Sequence, residues 1–378
     1  MAAAANDLHH MHAALALARR GLGNTWPNPS VGCVLVREGR VIGRGWTQPG
    51  GRPHAETEAL ARAGKAARGA TAYVTLEPCS HWGRTPPCCD ALLAAGVARV
   101  VVAAGDPDPR VDGRGLRRLR DAGVAVEQGL LEAEARALIA GFVRRITSGL
   151  PLVTLKLATT LDGRIATATG ESRWITGDAA RRAAHALRAK HDAVLVGSGT
   201  VLADDPDLTC RIPGMARIPI ARVVADTRLR TPLGAHLVRT ARGVPTWIAT
   251  RTGQPPAALA PYLAAGVELL PVRTKEGGLD LAALLGALAQ RGITRVLAEG
   301  GAGLAAGLLR SDLVDRIAWF HAPGIMGGDG LPAVRPLPLT SLSAMPRFRR
   351  VASRAVGADW LTEFERCEDT EAPCSQES

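Results

Sequence analysis

The chain is poor in aromatic side chains of two kinds, with four Phe and two Tyr in 378 residues. Ala, Arg and Gly are abundant instead. Coding bias alone produces such a skew, so it carries no functional conclusion. No stretch approaches the roughly 18 uninterrupted apolar residues of a membrane span. The start, MAAAANDLHHMHAALALARRG, lacks the basic-then-apolar order of a secretory signal. The cysteines are seven, an odd number, with Cys79, Cys88 and Cys89 together and Cys33, Cys210, Cys367 and Cys374 scattered. That argues against a secreted disulfide framework. A soluble protein of a reducing cytoplasm is expected. A long Lys/Arg block with interleaved aromatics is also missing, although the formal charge is +11. A basic surface attracts nucleic acid, phosphorylated metabolites or a dinucleotide. Arginines spread as Arg117, Arg118, Arg120, Arg144, Arg145, Arg181 and Arg182 read more plainly as a solvated surface.

What is present is enough for two domains, at roughly 100–200 residues each. A chain 47% hydrophobic and 21% charged is globular rather than disordered. A first helix is expected with Asp7 as its cap, Leu8, Met11, Leu15 and Ala18 on one face, and Gly21 as its stop. A hairpin follows over 31–45, turning at Glu38-Gly39, then a helix over about 54–66. Strand and helix then alternate at 71–76, 88–95, 99–104, 115–122, 124–128 and 131–147, the pattern of an α/β layered domain. Ser148-Gly149-Leu150-Pro151 breaks the pattern and marks a boundary. Beyond it, strands are expected at 152–158, 193–196, 222–225, 246–250, 267–272, 295–298 and 316–321, with closing strands in 347–365. Helices are expected at about 178–190, 279–291 and 303–313, so this half is α/β as well. The domains are therefore 1–147 and 151–366, with a polar tail, 367–378, expected to be disordered. No internal repeat relates the halves.

The first half carries a metal-ligand pattern. Pro53-His54-Ala55-Glu56 opens a helix, Glu77-Pro78-Cys79 ends a strand, and Cys88 begins the next helix. One His and two Cys give zinc three protein ligands and leave a fourth position for water, as a catalytic site requires. Zinc brings the pKa of such a water toward about 7. Glu56 lies too close to His54 in sequence to be a fourth ligand of this pattern, and is placed to shuttle protons to a leaving amine. Zinc deaminases show this order: His-x-Glu, then Pro-Cys with a further Cys, usually as Cys-x-x-Cys. Here eight residues separate Cys79 and Cys88, with His81, Gly83 and Arg84 among them and Pro86 and Pro87 to stiffen the loop. Spacing does not decide between Cys88 and Cys89, and His81 competes as a ligand or serves as a pocket residue. A single His-x-Glu or a single buried Cys is uninformative; the joint pattern is specific.

In the second half, Thr160-Leu161-Asp162-Gly163-Arg164 follows the first strand, and Glu299-Gly300-Gly301-Ala302-Gly303 joins a strand to a helix. Such a turn lets backbone amides approach a pyrophosphate. It does not match the doubly wound fingerprint, in which the Gly-rich turn follows the first strand of a unit. These residues alone indicate only a nucleotide-binding domain.

Together the motifs resemble the bifunctional riboflavin-biosynthesis deaminase/reductase family, over residues 6–366. PNPSVGC, PHAETEAL and TLEPCSHWGRTPPCCDALLAAGV match its deaminase half. LKLATTLDGRIAT, GESRWITG, VGSGTVLADDPDLTCR and AEGGAGLAAGLL match its reductase half. The resemblance implies a cytidine-deaminase-like α/β/α domain followed by a dihydrofolate-reductase-like α/β domain, with zinc and NADPH as cofactors. It implies hydrolytic removal of the 2-amino group of a diaminopyrimidinone ribosylamino phosphate, then reduction of the ribosyl chain to ribityl. It implies a phosphorylated small-molecule substrate, a homo-oligomer, and neither nucleic acid nor membrane as partner.

By the same resemblance the metal ligands are His54, Cys79 and Cys88, with Glu56 as the proton shuttle. Asn28, His81 and Arg84 hold the pyrimidine and its phosphorylated sugar; Arg84 stands where the family often has lysine and adds a two-point fork. Cofactor contacts fall on Ala158, Trp174, Thr200, Asp204, Thr227 and the run Gly301, Ala302, Gly303, Leu304, Ala305, Ala306 and Gly307. Substrate contacts fall on Ser172, Arg188, Leu208, Arg211 and Glu299, with Lys156 as a further candidate. Arg188 and Arg211 suit a phosphomonoester, and an indole such as Trp174 packs on a flat ring. The plainer readings are core for Trp174, a salt bridge for Glu299 and a solvated edge-strand lysine for Lys156.

Two rivals share part of the pattern. A nucleic-acid-editing deaminase with an accessory domain fits the metal motif and the charge, but not the missing basic-aromatic face. A non-catalytic zinc module needs a fourth ligand from His81 or Cys89 and leaves Glu56 without a task.

Overall fold

The computed structural model describes residues 2–83 and 86–367, with the backbone only for residues 2–5. Arg84 and positions 368–378 of the polar tail lie outside the described residues. The chain divides into two compact units between Leu150 and Pro151, residues 291–294 grouping with the first. No helix among the described residues is long and apolar enough to cross a membrane.

The first unit runs α1 (Ala2–Ala18), β1 (Gly32–Arg37), β2 (Arg40–Trp46), α2 (Ala55–Ala63), β3 (Thr71–Leu76), α3 (Cys88–Ala94), β4 (Arg99–Ala104), α4 (Arg114–Asp121), β5 (Ala125–Gln128) and α5 (Glu132–Ser148). Its five strands lie in the order β2-β1-β3-β4-β5. β1 is antiparallel to both β2 and β3, and β3, β4 and β5 are parallel. Val34, Val74, Val100 and Val102 are fully buried, as a sheet flanked by helices demands. Close packing of α2 on the hairpin depends on glycine: a Cβ at Gly45 would lie 2.1 Å from the Ala55 carbonyl oxygen. That approach presents the start of α2 to the strand ends.

The first helix departs from expectation. It begins before Asp7, so Asp7 is not its cap. The Asp7 carboxylate instead receives Arg99 through Nη1 at 3.0 Å and Nη2 at 2.6 Å, and the Tyr73 hydroxyl at 2.5 Å. Met11, Leu15 and Ala18 are buried as the periodicity predicts, whereas Leu8 is exposed.

The second unit runs β6 (Leu152–Thr159), β7 (Arg164–Ala166), α6 (Asp178–Arg188), β8 (Ala193–Gly197), α7 (Ser198–Asp204), β9 (Ala221–Ala225), α8 (His236–Arg239), β10 (Thr246–Arg251), α9 (Pro256–Ala264) and β11 (Glu268–Val272). It continues with β12 (Thr274–Lys275), β13 (Gly278–Leu279), α10 (Leu281–Gln290), β14 (Arg295–Ala298), α11 (Ala302–Arg310), β15 (Arg316–His321), β16 (Leu331–Pro332), β17 (Phe348–Val356) and β18 (Asp359–Arg366). The large sheet has nine strands in the order β11-β10-β9-β8-β14-β6-β15-β18-β17. Seven are parallel, and the β17–β18 hairpin closes one side antiparallel. β6 and β14 lie in the middle, so Lys156 is on a central strand and the edge-strand reading fails. Three helices, α7, α8 and α9, escaped the sequence pattern. α7 is a single short stretch behind Gly197, and α9 carries Pro256 at its first position, where the missing N–H is harmless, and Pro261 within.

Candidate functional site

The metal-ligand pattern converges. β3 ends at Leu76, and the chain turns through Glu77 and Pro78 to put Cys79 beside the N-termini of α2 and α3. His54 immediately precedes α2, and Cys88 is the first residue of α3. The ligand atoms of His54, Cys79 and Cys88 lie within 4.8 Å of one another. His54 Nδ1 is 3.3 Å from Cys88 Sγ and 3.8 Å from Cys79 Sγ. Tetrahedral zinc, with Zn–S about 2.3 Å and Zn–N about 2.0–2.1 Å, separates its ligand atoms by about 3.5–3.8 Å. The cluster therefore fits zinc closely.

Hydrogen bonds from Cys88 and His54 hold the Cys79 thiol below its ordinary range, so the thiolate that binds metal is favoured. Cys89 takes no part. It is buried in the apolar core, with its thiol 3.6 Å from Asp90 Oδ1. His81 is outside the cluster as well; its Nδ1 is buried with no hydrogen-bond partner among the described residues.

Glu56 lies in the first turn of α2, buried, with its carboxyl reaching the Cys88 thiol. Burial pushes its pKa up to about 7, a value suited to taking and returning a proton at neutral pH. Asn28 donates from Nδ2 to the Gly51 carbonyl at 2.8 Å.

In the second unit the carried-over residues fall into two groups. Around the ends of β6, β14 and α6, Arg188 donates to both carboxylate oxygens of Glu299, from Nε at 2.6 Å and Nη2 at 3.0 Å. The salt-bridge reading of Glu299 thus holds, and the two-point face of Arg188 is turned to protein. Lys156 is near Glu299; burial lowers its pKa, opposed by Glu299 and reinforced by Arg188. Arg211 is exposed and rests against His185, with Nε at 3.2 Å and Nη2 at 3.1 Å from its Nε2. His185 carried no signal in the sequence beyond its place on α6. Leu208, at φ +58°, is buried.

The second group holds the cofactor candidates. Trp174 is 68% exposed, which overturns the core reading. The Arg181 guanidinium lies over its ring at 4.5 Å. Ser172, Arg173 and Trp174 line a pocket of about 500 Å³ with Thr160, Thr167 and Met326. Arg173 donates to the Asp204 carbonyl at 2.8 Å, tying that pocket's wall to α7. Gly301 precedes α11, where no side chain caps the helix, and donates its N–H to Thr200 Oγ1 at 3.2 Å. The uncapped start suits an anionic pyrophosphate, and the exposed indole suits a flat ring, so these residues fit a dinucleotide. Gly301 to Leu304 reach the surface to differing degrees, whereas Ala305 and Ala306 are buried. Ala158 is half-buried on β6, and the Thr227 carbonyl accepts from Gln254 at 3.2 Å.

Comparison with known proteins bears on both units. Residues 151–362 match the model of the RibD C-terminal domain, and residues 4–104 that of the cytidine and deoxycytidylate deaminase zinc-binding region. The chain is 46% identical over 366 residues to riboflavin biosynthesis protein RibD of Escherichia coli, covering 93% of this chain and 97% of that one. Against the Aquifex aeolicus RibD it is 42% identical, covering 95% and 98%. The Acinetobacter baumannii RibD structure, form 1, superposes with a TM-score of 0.87 at 38% identity, covering 97% and 100%. A Thermotoga maritima structure, titled a diaminohydroxyphosphoribosylaminopyrimidine deaminase/5-amino-6-(5-phosphoribosylamino)uracil reductase, gives 0.83 at 35% identity, covering 96% and 99%.

Proposed function

This chain belongs to the RibD family, the bifunctional zinc deaminase and NADPH-dependent reductase of riboflavin biosynthesis, and on that premise we propose which residues carry each reaction. Residues 1–147 carry the deaminase and 151–366 the reductase. The substrate of the first reaction is 2,5-diamino-6-ribosylamino-4(3H)-pyrimidinone 5′-phosphate. Water replaces its 2-amino group, giving a carbonyl and ammonia; the second reaction then reduces the ribosyl chain to ribityl. A cytoplasmic homo-oligomer completes the reading.

In the deaminase, His54, Cys79 and Cys88 would hold zinc. Zinc, when bound, supplies a Lewis acid that brings the ionisation of a water toward about pH 7. Glu56 would take a proton from the attacking water and return it to the departing amine. Burial lets Glu56 do both, because neither its charged nor its neutral form is strongly preferred near neutrality. Asn28, His81 and Arg84 bind the pyrimidine and its phosphorylated sugar. The buried Nδ1 of His81, without a hydrogen-bond partner among the described residues, supports its part in this.

In the reductase, Ala158, Trp174, Thr200, Asp204, Thr227 and Gly301 to Gly307 would hold NADPH, which supplies hydride when bound. Arg188, Arg211, Ser172, Leu208 and Glu299 bind the substrate. Reduction also consumes a proton, and burial makes Lys156 the readiest of these groups to release one. Arg188 orients Glu299, while exposed Arg211 takes the phosphate.

The observation that carries the reading is buried Glu56 against the His54, Cys79 and Cys88 cluster. Ammonia release from the diaminopyrimidine phosphate by metal-analysed protein, followed by substrate-dependent NADPH oxidation, tests both halves. Neither a nucleic-acid-editing enzyme nor a structural zinc module predicts that pair of signals.

A further inference from the structure

His185 is a half-buried residue of α6 with both ring nitrogens engaged. Nε2 faces two donors of Arg211, Nε at 3.2 Å and Nη2 at 3.1 Å. The Arg211 backbone N–H also lies 3.3 Å from Nδ1, but a guanidinium only donates and two of its N–H groups face Nε2, so Nε2 accepts and the neutral ring carries its proton on Nδ1. From there it reaches the Thr209 carbonyl at 3.1 Å. The same carbonyl accepts Arg188 Nη1 at 3.0 Å. His185 and Thr209 therefore link the two arginines, one anchored on Glu299 and the other exposed on the loop after Pro206.

We propose that neutral His185 is a positioning residue for reductase substrate binding, holding Arg211 in place for the substrate's phosphate and releasing it when the imidazole is protonated. This rests on Arg211 being a phosphate ligand. An imidazolium has no acceptor for Arg211, and it adds a third positive charge beside Arg188 and Arg211. The charged groups facing His185 are Arg188 on its own helix, Arg211 on the loop and Glu299 at the end of β14. Burial first, then the two arginines, depress its pKa below the ordinary imidazole value of 6.5, against smaller upward pulls from the Thr209 carbonyl and Glu299. The acceptor is thus present at neutral pH and lost on acidification.

The substrate's phosphate also titrates near pH 6, so the test must cancel it. Reductase KM and kcat are measured for the full-length wild type, His185→Gln, His185→Leu and Arg211→Ala, with deamination of the same samples as a check on folding. Gln retains an acceptor but does not titrate; Leu has none. His185→Leu should raise KM about tenfold with little change in kcat, the scale of one charge-assisted hydrogen bond. His185→Gln should recover most of that loss. The ratio of wild-type KM to His185→Gln KM should rise as the pH is lowered from 7.5 through the depressed imidazole pKa, since only the wild type loses its acceptor. A ratio that is flat or falls overturns the proposal. If Arg211→Ala leaves KM unchanged, the phosphate assignment fails instead. If Arg211→Ala raises KM and His185→Leu does not, the assignment stands and the role of His185 is lost. NMR of histidine-labelled protein gives a second readout at pH 7.5. The proton of His185 should be on Nδ1, and finding it on Nε2 overturns the proposal whatever the kinetics.

Discussion

The Glu77 carboxylate accepts the backbone N–H of Gly115 at 3.0 Å, tying the strand end that leads to Cys79 to the start of α4. It also accepts Gly113 N–H at 3.0 Å and Leu116 N–H at 3.4 Å. A buried carboxylate at a helix N-terminus is stabilised by these otherwise orphaned donors and by the helix dipole. Gly115 is required for the approach, since a Cβ there would lie 2.2 Å from the Pro78 carbonyl oxygen.

Glu77→Ala should therefore weaken both fold and metal site. Several buried N–H groups would lose their acceptor, each at a cost of about 1–3 kcal/mol. Urea unfolding of the zinc-loaded protein should show a loss of at least about 3 kcal/mol from the deaminase transition, and zinc should dissociate more readily. Unchanged stability and zinc retention would make Glu77 dispensable.

Glu56→Gln should keep zinc and lose deamination by about 10²–10⁴-fold, because the amide preserves size but cannot carry the proton. Cys79→Ser should lose zinc and destabilise the first unit, since metal binding contributes folding free energy. Metal content and ammonia release on the same preparations separate the two roles. A metal-replete Cys79→Ser protein would count against the ligand assignment.

Trp174 should report NADPH directly. Its indole is exposed and carries Arg181 on one side. Trp174→Ala should raise the NADPH Kd about tenfold, the order of one lost aromatic contact, and abolish any fluorescence quenching that NADPH causes at this residue. Equal quenching in the variant would move the cofactor elsewhere.

The Asp7–Arg99 pair predicts an acid dependence. Arg99 first, then the Tyr73 hydroxyl, hold the Asp7 pKa below the ordinary 3.8, against the upward effect of burial. A lowered carboxylate pKa stabilises the fold fully above the unfolded value and progressively less as pH falls through the folded one. Asp7→Asn should thus cost about 1–2 kcal/mol at pH 7. Urea midpoints of wild type and variant should converge below the ordinary aspartate value of 3.8. A gap independent of pH would mean that packing, not charge, explains the cost.

Most strands and long helices were legible from period and punctuation, because burial of one face imposes a pattern on neighbouring residues. α9 was not, since Pro256 and Pro261 look like breakers until the first is seen at a helix start. Asp7 read as a cap because a short polar side chain before an apolar stripe usually is one. Its real partner, Arg99, lies on a strand that no local pattern connects to it. The plainer reading of Trp174, beside its cofactor role, was core, because a large apolar ring usually is; its loop leaves it in solvent.

The sequence by itself determined the two α/β units, the chemistry of the proposed metal ligands and the presence of Glu56 beside them, since these follow from residue type and short spacing. Tertiary structure decided that Cys88 rather than Cys89 faces His54. Adjacent residues on a helix point about 100° apart, so the choice depends on how α3 is rotated against its neighbours. Tertiary structure also decided that Arg188 spends its two-point face on Glu299 and that His185 meets Arg211. Such pairs join distant segments through packing, and spacing along a chain contains no distance across a sheet.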